Sequence, residues 1–370
     1  MRRLAFVVVL MTACSSVVPR AATVTPSQMA VSRHASLSPI PARSDFLAIV
    51  AGAKNTYVSL VASDGTLVAA VPVRQPTFRA HALMSWTSAS RTRLYYLDGY
   101  EVRFLAPDGT TGLATRIFLD FLNVTEQAGF AVSPDDSKIA VAVFTYKTPS
   151  VPGPPIDAVY TGMRLYVEDL NGGAHHVDIF SSTTVAEFPI GWVNGNLIIA
   201  VSSARCCPTQ QLNPYGAKFY QVVDPATGRT LVAPCTGLPE GYGYEEPAGP
   251  VSAGGVLCFA GNNTRFERWD GVTVPGTSTL PEIRDYLAAL APDGGLVAAG
   301  GVDVIRIWNG YSDAFCPSAK GWVYGWLDTS HVVYGNANGS TLSVCDLPTE
   351  QSTEIAPAGS YLGTLPAAVT

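Results

Sequence analysis

The sequence predicts an all-β fold, a closed ring of seven four-stranded antiparallel blades, and three observations predict it. A strand–turn–strand unit recurs along the chain. Its spacing is close to the 40–45 residues that one four-stranded blade needs. The first unit lacks its opening strand, and the C-terminus carries a strand with nothing after it.

The unit is clearest in two segments, Phe130–Ala142 and Leu290–Ala299. Each is an apolar strand, a Pro-Asp turn and a second apolar strand. The turn residues are Pro134-Asp135 in one and Pro292-Asp293 in the other. Proline presets φ, aspartate closes a local hydrogen bond, and a glycine tolerates positive φ. Alternating strands ending in a second turn follow in Arg164–Gly172, Phe219–Gly228, Arg265–Gly271 and Val304–Gly310. A period of two marks strands with one face packed.

Opening strands fall near Trp86, Phe130, Trp192, Val251, Leu290 and Trp326, at spacings of 44, 62, 59, 39 and 36 residues. Two units are therefore oversized. The segment Asp45–Val73 holds only three strands, at Phe46–Ala51, Tyr57–Ala62 and Leu67–Val73. The orphan Tyr361–Leu365 is expected to complete that blade and close the ring, which leaves no open edge.

Composition agrees with this reading. Charged residues are 14% of the chain, with 34 glycines and 27 prolines, as a sheet-rich protein with tight loops requires. The net charge is −6, and no basic run follows Arg3, so nucleic acid and anionic membrane surfaces are poor partners. A closed ring leaves monomer as the default state.

The N-terminus reads as an export signal. Arg2 and Arg3 precede an apolar run from Leu4 to Met11, too short to span a bilayer. Leu10–Cys14 resembles a bacterial lipobox, which implies residues 1–14 as signal and lipidation of Cys14, with the membrane reached only through that anchor. Met11 is an imperfect fit, and cleavage near Ala21-Ala22 with soluble secretion is the alternative. Residues 15–44, rich in Ser, Pro and Ala, read as a flexible tether, and 45–370 as the ring.

Besides Cys14 there are six cysteines, an even number that permits disulfides in an exported chain. The expected pairs are Cys316 with Cys345, and Cys235 with either Cys206 or Cys207. Cys258 is the sixth.

Ser133–Ala140 resembles the repeat of TolB-like and WD40-like propellers, and Val297–Trp308 the latter half of a WD40 repeat. The resemblance covers the chain from Asp45 onward and implies the fold. It implies no ligand, because the Trp-Asp dipeptide occurs only at Trp269-Asp270 and no unit has the Gly-His signature. The separate N-terminal domain of TolB is not expected here either, so its partners are not carried over.

Candidate binding residues follow from loop placement. The oversized units put their extra residues between second and third strands, at 147–161 and 203–216. In an antiparallel blade that connection shares a face with the one between blades. Long loops on a rigid scaffold are where binding concentrates. Tyr146, Tyr160, Tyr215, Tyr242, Tyr244 and Glu245 belong to that face, and tyrosines with carboxylates suit a protein, peptide or glycan surface.

Chemistry-bearing patterns are sparse. His175 and His176 are consecutive and point to opposite faces of a strand, no His-Glu-x-x-His occurs, and no metal site or cofactor is assigned. No Gly-x-Ser-x-Gly elbow exists. Prolyl-oligopeptidase-type enzymes join a similar propeller to a hydrolase domain, and no such domain is expected here. The expectation is a non-enzymatic binding scaffold of the cell envelope. The alternative is a propeller lyase or hydrolase acting on a sugar or lactone at the channel mouth.

Overall fold

A computed structural model describes residues 47–365 except for 53–56, 75–85, 118, 120–124, 148–158, 171–174, 204–216, 218, 236–252, 261–262, 275–287, 301–304, 309–312, 317–320, 336–340 and 357–358. The described residues form antiparallel strands and turns, with no helix among them.

The first blade holds β1 (Leu47–Ala51), β2 (Tyr57–Ala62) and β3 (Leu67–Pro72). The second is β4 (Thr87–Ala89), β5 (Leu94–Asp98), β6 (Glu101–Leu105) and β7 (Thr111–Arg116). The third is β8 (Thr125–Val132), β9 (Lys138–Lys147), β10 (Val159–Asp169) and β11 (His176–Ser182). The fourth is β12 (Val185–Val193), β13 (Asn196–Ser203), β14 (Phe219–Val223) and β15 (Thr230–Val232). A two-stranded sheet follows, β16 (Gly255–Ala260) with β17 (Asn263–Arg268). Then come β18 (Ala288–Leu290), β19 (Val297–Ala299), β20 (Ile305–Trp308) and β21 (Asp313–Cys316). The last full blade is β22 (Trp322–Trp326), β23 (His331–Gly335), β24 (Leu342–Asp346) and β25 (Gln351–Ala356). The final strand, β26 (Ser360–Leu365), returns to the first blade, whose order is β26-β1-β2-β3.

The molecule is a β-propeller. Successive sheets pack through their opening strands, β26 on β4, β4 on β8, β8 on β12, β18 on β22 and β22 on β26, and β16 of the fifth unit packs on β18. The closing strand pairs Leu365 with Leu47 and Ser360 with Ala51. Tyr361 and Thr364 both donate hydroxyl hydrogen bonds to the Trp326 carbonyl of the neighbouring blade.

The expectation of seven four-stranded blades is corrected: six sheets have four strands, and the described part of the fifth unit has two. Beyond β17 only Thr273 bridges back, to Glu267. Pro275 follows two residues later and has no N–H to extend a ladder.

The core is a set of apolar seams between blades. Tyr95, Phe130 and Val141 belong to the seam system of the first three blades. Phe144, Phe188 and Tyr220 belong to that of the third and fourth, where Phe144 stacks on Phe188 at 4.8 Å. Each such side chain, fully buried, contributes roughly 1.5–3 kcal/mol. Two tryptophans that mark opening strands tie blades together through their indole N–H. Trp192 donates to Ala131 O (3.2 Å) and Trp326 to Ala289 O (2.9 Å). Ala131 and Ala289 hold the same place in the repeat, four residues before Asp135 and Asp293.

The turns behave as their chemistry predicts. Asp135 Oδ1 accepts the Ser137 N–H and Asp293 Oδ1 the Gly295 N–H. Asp64, Asp108, Asp224, Asp270 and Asp328 cap turns in the same way. These turns join first to second or third to fourth strands, so strand alternation puts them on one face of the ring. The N–H of Leu170 donating to Ser137 O, and that of Leu347 donating to Ser330 O, join the two kinds of turn.

Two disulfides close inter-blade seams. Cys316–Cys345 joins β21 to β24, as expected. Cys235 pairs with Cys258, which corrects the expected pairing with Cys206 or Cys207. Cys258 lies on β16, whose Cα is 5.2 Å from that of Cys235, a separation a disulfide spans. Cys206 and Cys207 lie outside the described residues, as do the signal, Cys14 and the tether.

Candidate functional site

The face opposite the aspartate turns carries the connections between second and third strands and those between blades. The last register pairs before the two insertions are Lys147 with Val159 and Val201 with Phe219. Both insertions therefore leave from this face, from adjacent blades. The insertions themselves lie outside the described residues, and so do Tyr215, Tyr242, Tyr244 and Glu245.

Tyr146 and Tyr160 are described, and the fold brings them together. They are cross-strand partners on β9 and β10, with ring centroids 6.1 Å apart in an edge-to-face arrangement. Register shifts between Tyr160 and Gly162, so Thr161 is an extra residue, and its hydroxyl donates to Thr145 O. Such a bulge re-aims the strand end. The Tyr160 hydroxyl is shared between Val185 O (2.9 Å) and Ser182 O (3.2 Å), which ties the third blade to the start of β12. Tyr146 is 2% exposed, and its hydroxyl has no hydrogen-bond partner among the described residues. Burial raises the pKa of both phenols, so both stay neutral at any physiological pH.

Glu187 is the residue that sequence reasoning missed. It lies on β12, two residues beyond Val185, and is 7% exposed. Its N–H points at Met163 Sδ of the third blade (2.9 Å). Burial pushes its carboxyl pKa up to about 7, and the charge is felt at the Tyr160 phenol. A signal was available: it is the single charged residue in the otherwise apolar run Val185–Val193. An isolated carboxylate in a fully packed strand is costly unless something compensates it.

An open cleft of about 590 Å³ adjoins this region. Thr145, Thr161, Ser181, Ser182 and Thr183 line it with hydroxyl groups, and Glu126 and Arg164 add charge. It shares Met163 and Ser182 with the Glu187 and Tyr160 contacts.

Two of the described histidines, His176 and His331, serve local structure. His176 stacks on Tyr166 at 4.8 Å, and His331 Nδ1 lies 2.8 Å from Asp328 Oδ2. Among the described residues no group of three His, Cys, Asp or Glu side chains is placed to hold a metal.

No protein-family model and no curated protein matches the sequence. Several solved structures resemble the fold at low identity. An oligogalacturonate lyase from Vibrio parahaemolyticus is 8% identical, with 78% of this chain and 88% of that chain covered and a TM-score of 0.47. Apo AztD from Citrobacter koseri is 12% identical, with 86% and 83% covered and a TM-score of 0.44. An acylaminoacyl peptidase from Pyrococcus horikoshii is 10% identical, with 87% of this chain and 52% of that chain covered and a TM-score of 0.49. The class of protein that fold and disulfides define is a β-propeller of an oxidising compartment, extracellular or periplasmic.

Proposed function

We propose that this chain is a cell-envelope propeller, anchored by lipid on Cys14, that binds a protein, peptide or glycan without catalysing its conversion. The binding face is the one from which the 147–161 and 203–216 insertions emerge. One observation carries the reading: both insertions leave from adjacent blades beside the Tyr146–Tyr160 pair. A rigid, disulfide-closed ring beneath them lowers the ordering cost of binding. Seven units, with the fifth completed by residues around Val251, and a monomeric state belong to the same reading.

The test removes residues 148–159 and compares capture of envelope proteins and immobilised glycans with that by the intact protein. Loss of a specific partner with the fold retained supports the reading. Undiminished capture of every partner counts against it. Mass spectrometry of the membrane fraction, with Cys14→Ser as control, tests the anchor.

Glu187 favours a second reading, a lyase or hydrolase acting on a sugar or lactone at the channel mouth. A carboxyl with a pKa of about 7 on an opening strand is poised to give or take a proton near neutrality. Turnover of an oligosaccharide or lactone that Glu187→Gln abolishes would move the assignment to this reading.

A further inference from the structure

We infer that the cleft on the third blade is a subsite for a neutral glycan, a ligand that offers several hydroxyl groups at once. The inference deepens the binding-face reading and rests on it.

The position of the cleft follows from the register of one sheet. Glu126, Thr145 and Gly162 are register partners across β8, β9 and β10. Two residues along and on the same face, Arg164 stands opposite Ser181. Ala128 and Val143, also on this face, are packed in the seam with the second blade. β5 and β9 both start at the aspartate turns, where Arg93 meets Asp136, but β5 has five residues and β9 ten. β9 therefore runs on past the end of β5 toward the insertions, and the cleft lies against that outer stretch.

Its volume of about 590 Å³ is that of a small-molecule site. Three of its hydroxyls, those of Thr145, Ser181 and Thr183, have no hydrogen-bond partner among the described residues. Each can donate and accept. The Arg164 guanidinium, carried 5.7 Å over the Tyr166 ring, adds donors, and Glu126 adds acceptors. Neighbouring hydroxyls of a sugar also donate and accept, so they match this set group for group. An apolar ligand would leave the set unpaired, which a hydrogen-bonding site rejects. An anion would meet Glu126 in the same cleft. Gly162 keeps its row flat: a Cβ there would lie 3.4 Å from Ser182 O and 3.7 Å from Thr183 Cγ2, ordinary contacts, so the fold accepts a side chain that takes up cleft space.

The experiment presents the intact protein to immobilised neutral gluco-, galacto- and manno-oligosaccharides, with a serine-rich peptide as the competing class, and measures the affinities by calorimetry. Expected is binding to at least one glycan, weakened about fivefold by each of Thr145→Val, Ser181→Ala and Thr183→Ala, because each removes one hydrogen bond. Gly162→Leu abolishes it. Thermal melts report whether each variant keeps the fold, and Ser181 and Thr183 are exposed, so their variants read the site even where Gly162→Leu does not fold. No binding to any glycan, an affinity unchanged in the Ser181→Ala, Thr183→Ala double variant, or tighter binding of the peptide overturns the inference. Glycan binding that Gly162→Leu abolishes, with capture of every partner indifferent to loss of 148–159, defeats the insertion-face reading alone. Absence of glycan binding with capture lost on that deletion defeats the cleft alone.

Discussion

Arg93 places Nη1 3.0 Å from Asp136 Oδ2 across the seam between the second and third blades. The guanidinium belongs to the first turn of one blade, and the carboxylate to the corresponding turn of the next. Asp136 also accepts hydrogen bonds from Thr92 Oγ1 (2.5 Å) and the Tyr95 hydroxyl (2.7 Å). It does so from a left-handed conformation, φ +59°, at the position where the sixth unit has Gly294 at +76°. The backbone strain is thus exchanged for a carboxylate that joins two blades.

Arg93→Ala is expected to destabilise the protein by about 3 kcal/mol, because it removes the counter-charge of a buried carboxylate and leaves it only the hydroxyls of Thr92 and Tyr95. Asp136→Gly relieves the left-handed backbone, whereas Asp136→Ala does not. The Ala variant should therefore be the less stable of the two by about 1 kcal/mol. Urea unfolding measures both, and equal stability of the two Asp136 variants contradicts the strain argument.

Glu187 makes stability depend on pH. Its carboxyl titrates at about 7 when folded and at an ordinary 4.5 when unfolded. Between those values the folded state holds the extra proton, so stability is highest below pH 4.5 from this group and declines as pH rises through 7. The linked loss is about 3 kcal/mol. Glu187→Gln should remove it, leaving the variant more stable than the parent at pH 8. Thermal melts from pH 5 to pH 8 show whether the two curves diverge in that direction.

Tyr146→Phe removes a buried hydroxyl that has no partner. Stability is expected to rise by about 1 kcal/mol, the desolvation cost of an unsatisfied polar group. A decrease of that size in chemical denaturation means the hydroxyl is bonded after all.

Cys316–Cys345 closes a span of 29 residues across the last seam before closure. Replacing both cysteines by alanine should cost about 2–4 kcal/mol under oxidising conditions and nothing once a reductant is present. An oxidised variant as stable as the parent rules that contribution out.

Removing residues 359–370 deletes β26 and leaves the backbone groups of Leu47–Ala51 without their partners on that side. An exposed apolar edge of this kind associates with other edges. The truncated protein should self-associate in light scattering and lose cooperative unfolding. A monodisperse, cooperatively unfolding truncation speaks against closure as a source of stability.

Local chemistry made most of the ring legible. Period-two alternation placed β1, β2 and β3 to within a residue or two, and the missing strand at one end matched the spare strand at the other. The Pro-Asp turns stood out because proline and aspartate act within a few residues. The fifth unit was less legible: spacing predicts four strands, and its described part holds two. The partner of Cys235 was missed although Cys258 is 23 residues away, because chain separation does not report which strand lies across a seam.

What the amino-acid order determined alone was the unit, its turns, the closing strand and the face from which the insertions leave, all consequences of contacts within one blade or of strand alternation. Only the tertiary structure decided that Asp136 meets Arg93, that Cys235 meets Cys258, and that Glu187 is buried where β12 packs on the third blade. These are relations between blades. They depend on how one sheet is set against the next, and no local periodicity encodes that distance.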